Sequence, residues 1–169
     1  MNILSMSISF LPLLRSAVTC CAGHRTLEPG DKAPDFSLPG LSGEVFSLSS
    51  LRSRVVVLNF WRLDCDYCRQ EMPYLEQSYQ ALGRLGLAEV VAIDLYDSVD
   101  KVRRYLEDSG LSVPVALDSA GEVALSYEIY DLPATFFIDR DGVIKEVRTA
   151  PFTSASQIIE VVDRLVKIS

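Results

Sequence analysis

Two cysteines with two residues between them, Cys65-Asp66-Tyr67-Cys68, carry the chemistry of this 169-residue chain. A thiolate is the nucleophile of thiol–disulfide exchange, and a second thiol within one helical turn can attack the mixed disulfide that forms first. The pair stands where a continuous apolar run, Val55 to Phe60, gives way to a helical pattern. Open α/β sheets place their sites at the carboxyl ends of parallel strands. A thiol at a helix N-terminus meets unpaired N–H groups and the positive end of the helix dipole, and both favour the thiolate. Cys65 is therefore expected to be the exposed, attacking thiol and Cys68 the more buried, resolving one. A structural disulfide or a chance pair is the alternative for a C-x-x-C taken alone.

Few other groups could share the work. The only histidine, His24, lies upstream of the patterned part of the chain. That argues against Ser-His-Asp hydrolysis, Cys-His proteolysis and histidine-rich metal sites. The other two cysteines, Cys20 and Cys21, are adjacent and too far from Cys65 to complete a zinc knuckle. No metal and no bound cofactor is expected. The net charge of −7 disfavours nucleic acid as a partner. With 49% hydrophobic and 23% charged residues, the chain can bury a full core without disulfide staples. No apolar run reaches the roughly eighteen residues of a membrane span.

The elements that must position the pair follow from hydrophobic spacing. Asp35–Leu38 and Glu44–Leu48 alternate apolar and polar residues around Gly40 and Gly43, which reads as a hairpin. Val55–Asn59–Phe60 reads as a strand buried on both faces. From about Cys65 to Leu82, Met72, Leu75, Tyr79 and Leu82 share one helical face, with Pro73 expected to kink the helix. Glu89–Leu95 is another buried strand. Ser98 can cap a helix that ends at Ser109-Gly110. Thr135–Ile138 and Val143–Val147 are strands joined by the turn Asp139-Arg140-Asp141-Gly142. Ser154 or Ser156 opens a last helix with Ile158, Ile159, Val162 and Leu165 inward. The order implies an α/β layer fold with a mixed central sheet flanked by helices.

The stretch FWRLDCDYCRQEMPYLEQ resembles the active-site segment of thioredoxin-like proteins of the TlpA/ResA type, the membrane-associated thiol–disulfide oxidoreductases. Trp61, Cys65, Cys68, Arg69, Glu71 and Pro73 match that family's pattern. The segments GDKAPDFSLPGLSGEVFSLSSLRSRVVVLNFW and YDLPATFFIDRDGVI are similar to its N-terminal hairpin and its late strand pair. Asp64 stands where a Trp is common and Tyr67 where a Pro is common, departures that bear on redox potential and partner choice. The resemblance implies a thioredoxin-like fold with an N-terminal β-hairpin extension. It implies a cis bond at Leu132-Pro133, with Leu132 offering its backbone to a docked substrate chain. Trp61 reads as both core and rim of the site. The resemblance also implies that Glu71 approaches the site. With no histidine in the domain, a carboxylate is the natural proton carrier for Cys68. A solvated Glu71 paired with Arg69 or Arg62 is the alternative. Asp94, at a strand end, could approach as well. Asp97, Asp100, Glu107 and Asp108 read as solvated helix faces.

The chain divides near residue 30. Residues 1–29 read as a leader, an anchor giving membrane association, or a flexible extension: Ile3 to Leu14 is mostly apolar, yet the positive charge that precedes a secretory signal's apolar run is absent. Residues 30–169 form the thioredoxin-like domain. The resemblance implies a periplasmic or otherwise extracytoplasmic setting, with a cytoplasmic one as alternative. The partners are disulfide-bearing proteins, such as those handled in cytochrome c maturation, and an upstream thiol protein supplying electrons. Asp64 and Asp66 oppose the helix dipole at Cys65, so the couple is expected to be reducing, on the order of −250 mV or lower. Two other functions stay open: a thiol peroxidase of the peroxiredoxin type, whose openings share GDKAPDFSL but whose sites need a Pro and a Thr absent here, and a copper-binding thioredoxin-like module, for which only the two thiolates offer soft ligands.

Overall fold

Seven consecutive buried residues, Val55–Trp61, form the central strand of the sheet. The computed structural model describes residues 26–168. In chain order its elements are β1 (Ser37–Pro39), β2 (Val45–Ser47), α1 (Leu48–Leu51), β3 (Val55–Trp61), α2 (Asp66–Leu85), β4 (Ala88–Leu95), α3 (Val99–Ser109), β5 (Val115–Asp118), α4 (Glu122–Ser126), β6 (Ala134–Ile138), β7 (Ile144–Arg148) and α5 (Ala155–Ile168). Residues 1–25 of the expected 1–29 leader or extension, with Cys20, Cys21 and His24 among them, lie outside the described residues. No described helix is long and apolar enough to cross a membrane.

The main sheet has the order β5-β4-β3-β6-β7. β3 pairs in parallel with β4, from Val55 opposite Ala88 to Trp61 opposite Asp94. It pairs antiparallel with β6, where Phe60 faces Ala134. Because β3, β4 and β5 step the same way and parallel crossovers are right-handed, α2 and α3 cover one face of the sheet. Met72 and Leu75 of α2, Val102 and Leu106 of α3, and Ile158 and Val162 of α5 share that core. The other face is closed by Phe36, Leu38, Leu48, Val123 and Tyr127.

Some expectations needed revision. The hairpin forms as a separate two-stranded sheet with shorter strands than the alternation suggested. Leu48 opens α1 instead of ending a strand, because the Ser47 hydroxyl caps a helical turn by accepting the Ser50 N–H at 3.3 Å. β5 was not expected at all. Four residues following Pro114 give too short a run for periodicity to register, and pairing with β4 is what makes them a strand. α2 runs unbroken through Pro73 to a C-cap at Gly86, whose φ of 64° is the left-handed conformation that glycine adopts without steric cost.

Candidate active site

β3 ends and α2 begins within a few residues, and this junction builds the site. Cys65 is the N-cap of α2, and its Sγ accepts the Cys68 N–H at 3.2 Å. The sulfur thus takes one of the orphan donors that open every helix. Cys65 is half-buried, whereas Cys68 has no exposed surface. The two are joined as a disulfide with Cα atoms 5.2 Å apart. Reduced, the same geometry leaves the outer sulfur at the positive end of a 20-residue helix and the inner sulfur one turn down in the core. Asp64 and Asp66 do not stand alone beside the pair: Arg62 holds Asp64 at 2.9 Å, and Arg69 pairs with Asp66.

Glu71 is not a solvated helix residue, and it pairs with neither Arg69 nor Arg62. It is 1% exposed, and each of its carboxylate oxygens has a partner. Oε1 accepts from Asn59 Nδ2 at 2.7 Å, and Oε2 accepts from the Phe152 N–H at 2.8 Å. Asn59 also donates to Thr135 Oγ1 at 2.9 Å, across the β3–β6 register. Burial pushes the Glu71 carboxyl above its ordinary range, while the bonds from Phe152 and Asn59 and the charge of Arg148 pull it back. The structure therefore places a buried acid one turn along α2 from Cys68, held by Asn59 of β3 and by the backbone of the segment before α5.

The Leu132-Pro133 peptide bond is cis. Pro133 is buried just before β6, and Leu132 is half-buried against the cluster that contains Cys65 and Cys68. Trp61 takes the core place expected of it but not the rim place. It is fully buried, packs on Tyr105 at 5.6 Å between ring centroids, and offers no surface to a partner, because the last residue of β3 points into the core under α3. The exposed aromatic at the site is Tyr67, 62% exposed within the C-x-x-C. With Gln70, Tyr74, Pro151, Phe152 and Thr153 it lines a groove of about 450 Å³ beside the dithiol. Asp97 is a second correction: its carboxylate is no solvated helix charge but accepts the Leu63 N–H at 2.9 Å. Among the described residues no cluster of His, Cys, Asp or Glu has the makings of a metal site.

Asn59, Thr135 and Asp97 were missed in the sequence. Asn59 carried a usable signal. A polar side chain inside a run buried on both faces must have partners, so its presence at 59 announces a buried network.

A dithiol capping the helix that follows a central strand, with a cis-proline just before the neighbouring antiparallel strand, defines the thioredoxin-like class of thiol–disulfide proteins. The AhpC/TSA family profile matches residues 29–147. The chain is 36% identical over 124 residues to the thiol-disulfide oxidoreductase ResA of Geobacillus kaustophilus, covering 73% of this chain and 71% of that one. Among solved structures it is similar to a thiol:disulfide interchange protein of the thioredoxin family from Chlorobium tepidum, with TM-score 0.72 and 26% identity over 82% of this chain and 97% of that one. It is also similar to a secreted Mycobacterium tuberculosis disulfide oxidoreductase described as homologous to DsbE of E. coli, with TM-score 0.64 and 26% identity over 78% and 95% of the two chains. The chain belongs to the AhpC/TSA family and, within it, to the ResA-type thiol–disulfide oxidoreductases.

Proposed function

We propose that this chain reduces disulfides in protein substrates outside the cytoplasm, including those met in cytochrome c maturation. The observation that carries the reading is the asymmetry of the pair: Cys65 caps α2 at the surface and Cys68 is buried one turn below. The Cys65 thiolate attacks one sulfur of a partner disulfide, forming a mixed disulfide and releasing the partner's other sulfur as a thiolate. Cys68 then loses its proton, with Glu71 as the nearby carrier, and attacks Cys65 Sγ. That step breaks the mixed disulfide, frees the second partner thiol and leaves Cys65–Cys68 oxidised. Two electrons have passed to the partner. A thiol protein must return two electrons to reopen the cycle.

Leu132 and Pro133 dock the substrate backbone, and Tyr67 with its groove receives the side chains beside the disulfide. The extracytoplasmic setting rests on the likeness to a relative described as secreted and on the TlpA/ResA-type pattern of the active-site stretch. The test is trapping. Reduced Cys68→Ser, offered a peptide disulfide, should accumulate a mixed disulfide at Cys65, and Cys65→Ser should accumulate none. Adducts at Cys68 in Cys65→Ser, with none in Cys68→Ser, would reverse the roles.

A further inference from the structure

A second buried acid lies beneath the loop that delivers Cys65, and the dithiol cycle does not use it. Asp94 sits on β4 as the register partner of Trp61 and is 1% exposed. Its Oδ1 accepts the Asp97 N–H at 3.2 Å. Its Oδ2 is buried and has no hydrogen bond among the described residues. The bond to Oδ1 seats Asp97 against Asp94, so the Asp97 charge bears directly on the Asp94 carboxyl. Asp97 Oδ2 in turn accepts the Leu63 N–H at 2.9 Å. Leu63 precedes Cys65 by two residues, and the Cys65 N–H is itself tied back to the Arg62 carbonyl at 3.3 Å. A continuous chain of contacts thus runs from the sheet interior, through Asp97, to the loop 62–64.

Two neighbouring carboxyl groups do not both ionise cheaply. With a proton on Asp94, its O–H has the Asp97 carboxylate as acceptor, and Asp97 keeps its charge for the Leu63 N–H. Without that proton, two negative charges face one another. Asp94 is locked in the sheet, so Asp97, in the turn after β4, is the side chain able to withdraw, and the Leu63 bond goes with it.

We propose that Asp94 is a positioning residue for the dithiol: through Asp97 it holds the loop that presents Cys65, and a proton on Asp94 keeps that hold closed. The kinetic consequence rests on the reading of Cys65 as the attacking thiol, whereas the hold itself does not.

The charged groups around Asp94 set where it titrates. Burial first, and then the Asp97 charge, push its carboxyl up to about 7, while the Asp97 N–H and the Arg62 guanidinium pull the other way. Arg62 is itself shared with Asp64 and lies over the Tyr96 ring. From α3, Val102 and Tyr105 pack on this side of the sheet, and Asp100 and Arg103 pair with one another. From β5, the register partner is the apolar Leu117.

The oxidised full chain isolates this proton, because the Cys65 and Cys68 thiols do not titrate while bonded. The Leu63 amide is followed by nitrogen-15 NMR from pH 5 to 9. The Leu63 resonance should shift with a midpoint near 7, and its exchange protection, corrected for intrinsic rate, should fall at least fivefold above the midpoint. Asp94→Asn, whose amide can donate to Asp97 as the protonated acid does, should hold the low-pH position throughout. Asp97→Asn removes the like charge and should move the midpoint down by at least one unit. Glu71→Gln should leave the Leu63 titration in place. In the reduced chain, the rate of Cys65 with a peptide disulfide, divided by thiolate fraction, should fall two- to fivefold between pH 6 and 8.5, but not in Asp94→Asn. A Leu63 amide indifferent to pH, an Asp94→Asn profile equal to the parent, or loss of the titration in Glu71→Gln would each overturn the proposal. If the NMR titration holds and only the kinetic arm fails, the positioning role is overturned where Cys68→Ser still traps the adduct at Cys65, and the reading of Cys65 as the attacking thiol is what fails where it does not.

Discussion

Asn59 and Glu71 meet in the interior, amide Nδ2 to carboxylate Oε1 at 2.7 Å. One belongs to the strand that ends at the dithiol and the other to the helix that starts there. The contact is one link of a longer set: Asn59 reaches Thr135 on β6, and Glu71 reaches the Phe152 N–H ahead of α5. An acid in a packed core is costly unless its oxygens are bonded. Here both are, and the bonds lock four segments of chain behind Cys68.

Asn59→Leu tests that lock. The substitution removes the donor to both Glu71 and Thr135 and leaves two buried acceptors unserved. Unfolding in denaturant should show a loss of about 2–4 kcal/mol at unchanged slope. Glu71 should also titrate higher, because one of the bonds favouring its charged form is gone. A loss below about 1 kcal/mol would mean that the network is dispensable.

Glu71→Gln addresses the proton. An amide cannot accept a proton from the Cys68 thiol, so breakdown of a preformed mixed disulfide at pH 7 should slow about a hundredfold, the low end for acid–base assistance. The deficit should shrink as pH rises and Cys68 ionises unaided. Single-turnover release of the partner thiol reads both effects. An equal deficit at every pH would indicate a structural loss instead.

Limiting alkylation of the reduced protein should label Cys65 well before Cys68. Exposure and thiolate character govern thiol reactivity; Cys65 is half-exposed at a helix N-terminus, where the dipole favours a thiolate, while Cys68 has no exposed surface. Peptide mapping after partial reaction gives the order directly, and first labelling at Cys68 would contradict it.

The sequence disclosed most of the fold because β3, α2, β4 and α5 carry long, unambiguous apolar patterns. It disclosed the dithiol because the pair sits at a strand-to-helix change. It did not disclose β5, whose four residues become a strand only by pairing with β4. Nor did it disclose what Glu71 and Asp97 touch. Their partners are backbone N–H groups at residues 152 and 63 and an amide on another strand, contacts set by tertiary placement with no local spacing to mark them. Trp61 was legible as core but not as wholly covered, because which helix covers the end of β3 depends on crossover direction.

Glu76 braces α2 against the loop between α3 and β5. It accepts from the Ser112 N–H, the Ser112 hydroxyl and the Val113 N–H at 2.7–2.8 Å. Partial burial raises its carboxyl, but the bonds from Ser112, Gln80 and Val113 outweigh that and hold it below the ordinary range. A depressed folded-state value means that the brace is intact above the ordinary carboxylate range and is lost as pH falls through the depressed value. Glu76→Ala should therefore cost about 1–3 kcal/mol at pH 7 and progressively less towards pH 3, as read from thermal or denaturant midpoints.

The last prediction concerns the potential of the Cys65–Cys68 couple. Asp64 and Asp66 flank Cys65 and, taken alone, would oppose its thiolate. In the structure each is paired with an arginine, Asp64 with Arg62 and Asp66 with Arg69. All four side chains are substantially exposed, so solvent and salt screen what imbalance remains. What survives is the capping position itself, with the sulfur facing the Cys68 N–H. That stabilises the thiolate moderately, without the strong local positive charge of an oxidant. The potential should lie near the thioredoxin end of the range, on the order of −250 mV. Asp64→Asn and Asp66→Asn each free an arginine near the sulfur, stabilise the reduced form and should raise the potential, by no more than about 15 mV apiece. The double variant should show about the sum, and the shifts should shrink in 0.5 M salt. Equilibration with glutathione buffers and counting of free thiols measures all of these. A parent potential near −120 mV, or shifts that ignore salt, would show that groups other than these pairs set the couple.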